Sequence, residues 1–183
     1  MHIFNILFIS LFLTACASPV NIDYDKNINF NSYTYYSINN QPVRTSTDTR
    51  INSPFMQQRV VDELKFRFDE KGYKYSNSQS DITIKYYLDV KHEIETIDSG
   101  RIAIGFGSIS HHSSVGIGLN LPIGEAASID SLVLTIDIYS TKTNKLLWRG
   151  SLGSYLYEGA TPETHSNLVN RLVGAILEKF PPN

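Results

Sequence analysis

Residues 81–96, DITIKYYLDVKHEIET, form the longest stretch of alternating apolar and polar side chains in this sequence. Successive side chains of a β-strand point to opposite faces of its sheet. The apolar face of the predicted strand carries Ile82, Ile84, Tyr86, Leu88 and Val90. The other face carries Thr83, Lys85, Tyr87, Asp89 and Lys91. A strand with one buried face and one wet face is typical of an antiparallel sheet that is covered on a single side.

Two stretches nearer the C-terminus are predicted to be strands of the same sheet. The first has an apolar face of Leu132, Leu134, Ile136 and Ile138, with Thr135 and Asp137 pointing outward. After a turn at residues 141–144, the return strand carries Leu146, Trp148, Gly150 and Leu152. We expect Trp148 to lie in the core and Arg149, on the opposite face, to pair with a neighbouring Asp. Gly150 is expected to mark a bulge or a crowded contact.

The N-terminal part of the chain contributes shorter elements. Residues 20–25 alternate as a strand does, and a second strand rich in β-formers is predicted to open at Tyr33 and to continue to Ile38. Residues 39–52 are polar and include Pro42, which favours a loop.

Two helices are predicted from their caps and from their apolar stripes. Ser53-Pro54 is a helix start, because Ser caps free N–H groups and Pro at the first position loses no hydrogen bond. Gly72 is expected to end this helix. Thr161-Pro162 repeats the same start, and Pro181-Pro182 stops the second helix. The predicted fold is therefore an α+β two-layer sandwich, a mainly antiparallel sheet with two helices packed on one face.

A glycine-rich segment at about residues 100–124 is predicted to be a hairpin with one apolar side and one nearly bare side. A glycine face lets another backbone approach closely. One interpretation is a weakly specified hairpin that is prone to register slip. The other is a contact surface for a partner, a second copy of the chain or the membrane, formed by Ile102, Ile104, Phe106, Val115, Ile117 and Leu119.

The N-terminal stretch, MHIFNILFISLFLTAC at residues 1–16, indicates where the protein works. Its apolar run of about 11 residues matches a secretory signal and is too short to span a bilayer as a helix. It ends in Leu13, Thr14, Ala15 and Cys16, which resembles the lipobox of bacterial lipoproteins. The alternatives are an ordinary signal peptide, or an uncleaved anchor in which Cys16 is a buried thiol.

The lipobox divides the chain into a signal peptide at 1–15, a lipidated tether at 16–20 and a single α+β domain at 21–183. By resemblance to the known sorting pattern, Ala17 after the acylated Cys16 implies the outer membrane. Acyl chains at about 0.8 kcal/mol per buried CH₂ would hold the protein firmly.

Composition excludes several classes of function. The 183 residues carry a net charge of −2 at pH 7, which does not favour a nucleic-acid partner. Cys16 is the single cysteine, so once it is acylated no thiol is left for a disulfide, a metal site or a nucleophile. No cofactor is implied, because the chain has no phosphate loop, no complete dinucleotide fingerprint and no nucleophile elbow.

The candidate metal ligands do not assemble in the sequence. The adjacent His111 and His112 lie at the predicted hairpin tip, where neighbouring side chains point to opposite faces. His92 and His165 have no carboxylate at ligand spacing. We therefore predict neither a metal site nor catalytic residues. The 11 tyrosines are interpreted as half-buried strand residues or, alternatively, as an exposed face for a peptide or a glycan.

The order of short motifs resembles a bacterial outer-membrane lipoprotein family known as domain of unknown function 4136. The matching stretches are 23–25 followed by Phe30 and Tyr33, the helix end at 70–73, the strand at 81–86, the glycine-rich middle, the LLWRG segment at 146–150 and the C-terminal KFPP at 179–182. The resemblance implies the fold and a location in the envelope. It carries no catalytic residues, because the family has no agreed ones.

These observations favour a non-enzymatic binding or scaffold lipoprotein that faces the periplasm and contacts an envelope protein or polymer. The wet sheet face or the glycine-rich hairpin would make the contact. One alternative is a carrier of a small apolar ligand, with a cavity lined by Ile84, Leu134 and Leu172. A less favoured alternative is an envelope hydrolase.

Overall fold

A computed structural model of the chain describes residues 20–40, 42–93, 103–104, 117–118 and 129–182. In chain order the elements are β1 (Asn21–Tyr24), β2 (Tyr35–Ile38), β3 (Arg44–Thr45), α1 (Pro54–Glu70), β4 (Lys74–Tyr75), β5 (Ile82–Glu93), β6 (Ala103–Ile104), β7 (Ile117–Gly118), β8 (Ile129–Ser140), β9 (Leu146–Tyr155) and α2 (Pro162–Leu177). A 3-10 turn at Phe30–Ser32 lies between β1 and β2.

The main sheet has seven strands in the order β1-β9-β8-β5-β2-β4, with β3 paired to β5 outside this path. The long strands are antiparallel: β5 pairs with β8 from Ile82↔Ser140 to Glu93↔Ile129, β8 pairs with β9, and β9 pairs with β1. The short strands β2, β3 and β4 pair in parallel. The predicted α+β sandwich is confirmed, with a mixed sheet in which the antiparallel part is the larger.

The predicted apolar face of β5 is the centre of the core. Ile82, Ile84, Tyr86 and Leu88 are each 0% exposed, while the positions between them are only half-buried. Strand β8 continues this layer with Leu132, Leu134, Ile136 and Ile138. The alternation of the sequence therefore placed the covered face of the sheet correctly.

Both helices begin and pack as their caps predict. The Ser53 side chain accepts a hydrogen bond from the Met56 N–H, and Thr161 accepts one from the Thr164 N–H. Gly72, with φ +84°, follows α1 in the left-handed conformation that favours glycine. Each helix turns its apolar stripe to the sheet, through Val60, Val61, Leu64 and Phe68 in α1 and through Leu168, Val169, Leu172, Val173, Ile176 and Leu177 in α2.

The two helices run side by side in the same direction. Arg59 Nε donates to Ser166 Oγ at 3.0 Å near their N-terminal ends. Two turns later the guanidinium of Arg67 lies against Gly174. Both pairs keep the same sequence offset, so α1 and α2 start at one end of the sheet and finish at the other.

An aromatic cluster closes the core at the C-terminal end of the helices. The ring of Phe180 lies 5.3 Å from Trp148, 5.4 Å from Phe30 and 5.6 Å from Phe68, measured between ring centroids. The chain folds back just after α2, so Phe180, which directly precedes Pro181-Pro182, also covers the core.

Two local expectations need correction, and a third is narrowed to one of its two alternatives. The predicted loop at 39–52 contains β3 and places Ile51, 0% exposed, in the core. Asp137 lies on the outward face as predicted, yet its side chain is completely covered by its neighbours. The register shifts between Ile138↔Trp148 and Tyr139↔Leu146, so the extra residue Leu147 is buried beside Trp148. The bulge is therefore at Leu147, and Gly150 is the crowded contact.

Within the part of the chain that the structure describes, no helix has the length and apolar character needed to cross a membrane.

Candidate interaction surface

The residues that the sequence singled out lie mostly outside the described part of the chain. Leu13, Thr14, Ala15 and Cys16 precede its first residue, and Ile102, Phe106, Val115 and Leu119 also fall outside it. Strands β6 and β7 pair Ile104 with Ile117 and Ala103 with Gly118, antiparallel and apart from the main sheet. The predicted contact surface of the glycine-rich segment stays a prediction.

The second contact surface predicted from the sequence is the solvent-facing side of the main sheet, here called the outer face. It consists of the side chains on β5, β8, β9 and β1 that point away from the helices. A row of alternating charge crosses it from strand to strand: Lys85 is paired with Asp137, Asp137 with Arg149, and Arg149 with Asp23. Opposite charges in directly facing positions attract each other across a sheet.

The pair of Asp137 and Arg149 is the centre of this row. Arg149 Nε and Nη2 each donate a hydrogen bond of 2.6 Å, one to each carboxylate oxygen of Asp137. The side chain of Asp137 is 0% exposed, while that of Arg149 is 46% exposed. The hydrogen bonds to Asp137 raise the pKa of Arg149. This bidentate geometry is the one in which a carboxylate tolerates burial.

Two tyrosines frame the pair. Tyr139 donates through its hydroxyl to Asp137 Oδ2 at 3.3 Å. The Nζ atom of Lys85 lies 4.1 Å from the centroid of the Tyr139 ring, and the guanidinium carbon of Arg149 lies 5.9 Å from that of Tyr87. Burial, followed by hydrogen bonding to Tyr139, raises the pKa of Tyr87. The Tyr87 phenol therefore stays protonated at neutral pH.

This arrangement suits binding better than bond-breaking. Arg149 and Asp137 neutralise each other, and raised pKa values remove Tyr87 and Arg149 as bases near neutral pH. The rings and the guanidinium are held by their neighbours, so little side-chain entropy remains to be lost when a partner arrives. Tyr and Arg are also the residue types that carry most binding energy at interfaces.

The carrier and hydrolase alternatives can be compared with the geometry. Ile84, Leu134 and Leu172, predicted to line a ligand cavity, are each at most 1% exposed and belong to one continuous core. Two clefts of the described surface lie elsewhere. One, of 190 Å³, is bordered by Tyr33, Gly72 and Tyr73. The other, of 160 Å³, is bordered by Tyr155, Tyr157, His165 and Arg171.

His165 does not have the surroundings of a catalytic base. Its Nδ1 atom is buried and has no hydrogen-bond partner among the described residues. Burial and then the positive charge of Arg59 lower its pKa, whereas a base of the Ser-His-Asp type is oriented by a carboxylate. Among the described residues, no group of three or more His, Cys, Asp and Glu side chains could hold a metal ion. Asp25 accepts a hydrogen bond of 2.6 Å from Lys145 Nζ.

The sequence predicted which side chains lie on the outer face, but it did not predict that they form one charged row across the strands. It assigned Lys85, Asp137 and Arg149 to outward positions and expected Arg149 to pair with an Asp. The charged row also needs the register of four strands, which the bulge at Leu147 changes by one residue. Counting back from the turn at 141–144 without that bulge would pair the wrong residues.

The sequence model of a family described as "Domain of unknown function (DUF4136)" matches residues 20–182. No curated protein sequence matches this chain.

Among solved structures, the chain is similar to a DUF4136 family protein from Bacteroides thetaiotaomicron, with a TM-score of 0.52 and 11% identity over 89% of this chain and 95% of that one. It is also similar to a PDZ domain protein from Parabacteroides distasonis, with a TM-score of 0.58 and 11% identity over 91% of this chain. The match covers only 36% of that longer protein. The lipoprotein GNA1162 from Neisseria meningitidis matches with a TM-score of 0.42 and 11% identity over 82% and 99% of the two chains. For the first two of these structures, the likeness is one of fold alone.

Proposed function

The chain belongs to the DUF4136 family, and from this premise we propose that it is a lipid-anchored binding or scaffold module of the bacterial cell envelope. In this proposal Cys16 carries the lipid, the outer membrane holds it, and the folded domain faces the periplasm. Its work is to contact an envelope protein or polymer rather than to catalyse a reaction.

The anchor part of the proposal is supported by the position of the lipobox. Cys16 ends the apolar run and is the single cysteine of the chain. The family match begins at residue 20, four residues later. A short tether between an acylated cysteine and a folded domain agrees with this spacing.

The binding part is supported by one observation above all, the pre-organised outer face. On a surface that the two helices leave uncovered, a fully buried carboxylate holds an arginine in a bidentate pair between two half-buried tyrosines. Maintaining a buried charge on a wet face has a desolvation cost that a purely structural surface does not need. A rigid patch of two tyrosines and an arginine offers residue types that are enriched among those that dominate binding energy at interfaces.

Site-specific photocrosslinking in living cells tests this proposal. A photoreactive residue is placed at Thr135 or Ser151 on the outer face, or at Ile104 or Ile117 in the glycine-rich segment. The matched controls are Gln58 and Asp62, which are exposed on the solvent side of α1. We expect discrete adducts from the first group and none from the controls, and adducts of twice the chain's mass would identify a second copy as the partner. Equal labelling at all six sites, or none at any, would contradict the proposal.

The anchor is tested separately. Radiolabelled palmitate should enter the parent protein but not Cys16→Ser, and the latter should leave the membrane fraction. By the sorting pattern that Ala17 resembles, Ala17→Asp should move the protein to the inner membrane. A Cys16→Ser protein that still sediments with membranes would refute the anchor.

A further inference from the structure

The strand ends nearest to the tether lie together at one end of the domain. In the pairing of β1 with β9, Tyr24 faces Trp148 and Asn21 faces Ser151. Val20, which precedes Asn21, therefore lies toward the end of β9 that carries residues 152–155. We call this end of the domain, marked by Val20 and Tyr155, the proximal end.

The helices also start at the proximal end. Arg171 Nη2 donates to Ser154 Oγ at 3.0 Å, while Ile176 lies against Gly150. Helix α2 thus runs antiparallel to β9 and begins near Tyr155. Because α1 is parallel to α2, its first turn lies at the same end.

The root of the glycine-rich segment is there as well. The ladder between β5 and β8 ends with Glu93 facing Ile129. The Leu156 N–H donates to the carbonyl of Asp130 at 2.8 Å, which joins this root to the end of β9. Glu93 and Ile129, the described residues that border this segment, therefore lie at the proximal end.

The two most exposed large apolar side chains of the described residues lie at this end. Phe55, in the first turn of α1, is 75% exposed, and Tyr157, just after β9, is 62% exposed. Phe66 on the same helix is 53% exposed, but it lies about 16 Å further along the axis, at 1.5 Å per residue.

From this geometry we propose that the proximal end lies against the lipid surface, with Phe55 and Tyr157 in the headgroup region. The proposal rests on the lipid anchor proposed for Cys16. Between Cys16 and Val20 there are four residue steps, which span at most about 14 Å when fully extended. A tether this short holds the start of β1 close to the bilayer.

Aromatic rings have favourable sites at the membrane–water interface, because one part of the ring is apolar and its edge or hydroxyl can stay wet. The charges nearby do not select anionic lipid, since the exposed Glu158 and Glu163 offset the exposed Arg171 in the same part of the chain. The contact therefore depends on the rings, and we expect it to be the same on zwitterionic and on anionic bilayers.

Depth measurement on the acylated protein tests the proposal. With Cys16 acylated, a single introduced cysteine is the one free thiol, so Phe55→Cys or Tyr157→Cys can be labelled with a polarity-sensitive fluorophore. The controls are Phe66→Cys and Lys142→Cys, the latter in the exposed turn at the opposite end of the sheet. All four positions are solvent-exposed, so the substitutions should change stability little, by about 0.5 kcal/mol or less. The labelled proteins are placed in phosphatidylcholine vesicles that contain a lipid with a nitroxide near the headgroup.

We expect quenching at 55 and 157 that is at least about twofold stronger than at the controls, together with a blue-shifted emission. Adding phosphatidylglycerol should not change this ratio. Equal quenching at all four sites, or stronger quenching at 66 or 142, would overturn the proposal. If the protein incorporates palmitate and binds the vesicles but 55 and 157 stay unquenched, the orientation is wrong and the anchor stands. If palmitate does not enter at all, the anchor fails and the orientation fails with it.

Discussion

Arg149 holds both oxygens of the buried Asp137 carboxylate, each at 2.6 Å, and it does so from the adjacent strand on the solvent side of the sheet. Among the described residues, two polar side chains are buried, those of Ser131 and Asp137. The ion pair with Arg149 therefore compensates the buried negative charge of Asp137 on the outer face.

Removing the arginine should destabilise the fold. Arg149→Gln removes both guanidinium hydrogen bonds and leaves Asp137 with the phenols of Tyr139, at 3.3 Å, and Tyr87. Removing one partner of a buried ion pair costs about 3–5 kcal/mol, and because Arg149 is half-exposed we expect a smaller loss, about 2 kcal/mol. Urea denaturation should show a lower midpoint with an unchanged m-value.

The double variant Asp137→Asn with Arg149→Gln is the control for that prediction. It removes both charges, so it should be more stable than Arg149→Gln alone. Additive losses in this double-mutant cycle would mean that the two side chains do not depend on each other.

Gly150 is predicted to be intolerant of any side chain. A Cβ added there would lie 2.3 Å from Trp148 Cη2 and 2.7 Å from Ile176 Cγ2, both of which are held in the core. Gly150→Ala should therefore cost about 1–3 kcal/mol, as overpacking does. Thermal unfolding followed by circular dichroism would measure the loss.

Gly174→Ala is the matched control, because the same chemical change meets a flexible neighbour. Its Cβ would be 3.3 Å from Nη2 of Arg67, the far end of a long side chain. Alanine is favoured over glycine in a helix by about 0.5–1 kcal/mol. We expect unchanged or increased stability, and a loss equal to that of Gly150→Ala would contradict the packing described for β9 and α2.

The comparison of these two glycines shows what the sequence can and cannot reveal. The periodicity of β5, β8 and α2 predicted the covered face of the sheet, because each residue's burial there follows from its own position in a repeat. The motif LLWRG predicted either a bulge or a crowded contact at Gly150, and the structure shows the crowded contact. Gly174, by contrast, gave no indication of its contact with Arg67, because that contact depends on the relative placement of two helices.

The same limit applies to the interaction surface. Sequence reasoning predicted that Arg149 would pair with an Asp, yet it expected Asp137 to be exposed. Four strands must be in register before Lys85, Asp137, Arg149 and Asp23 form one row, and the bulge at Leu147 sets that register. The short parallel strand β3 was missed because two residues are too few to show any periodicity.

His165 should make stability depend on pH. Burial and Arg59 lower its pKa in the folded state, so the unfolded chain binds a proton more readily. This group's contribution to stability is fully present above its ordinary pKa of about 6.5 and is lost as the pH falls toward the lowered folded pKa. We expect His165→Gln to lose less stability than the parent between pH 7 and pH 5, measured by urea denaturation. Identical losses in the two proteins would show that His165 titrates freely.

Arg50 is predicted to fasten the segment before α1 to the start of β8. Its guanidinium contacts the carboxylates of Asp48 and Asp130, and all three side chains are at most 22% exposed. Arg67 also bridges two carboxylates, Glu63 and Glu70, but on a more exposed helix surface. Exposed pairs contribute about 0–1 kcal/mol, and partly buried pairs contribute more.

We therefore expect Arg50→Gln to lower the free energy of unfolding by about 1–2 kcal/mol more than Arg67→Gln does. The loss should be local as well, because Asp130 also accepts the Leu156 N–H through its carbonyl. Hydrogen exchange at Leu156 and Ile51 should become faster in Arg50→Gln and stay unchanged in Arg67→Gln. Equal effects of the two substitutions would mean that the link to Asp130 adds nothing, and that the proximal end is held by the β5–β8 ladder alone.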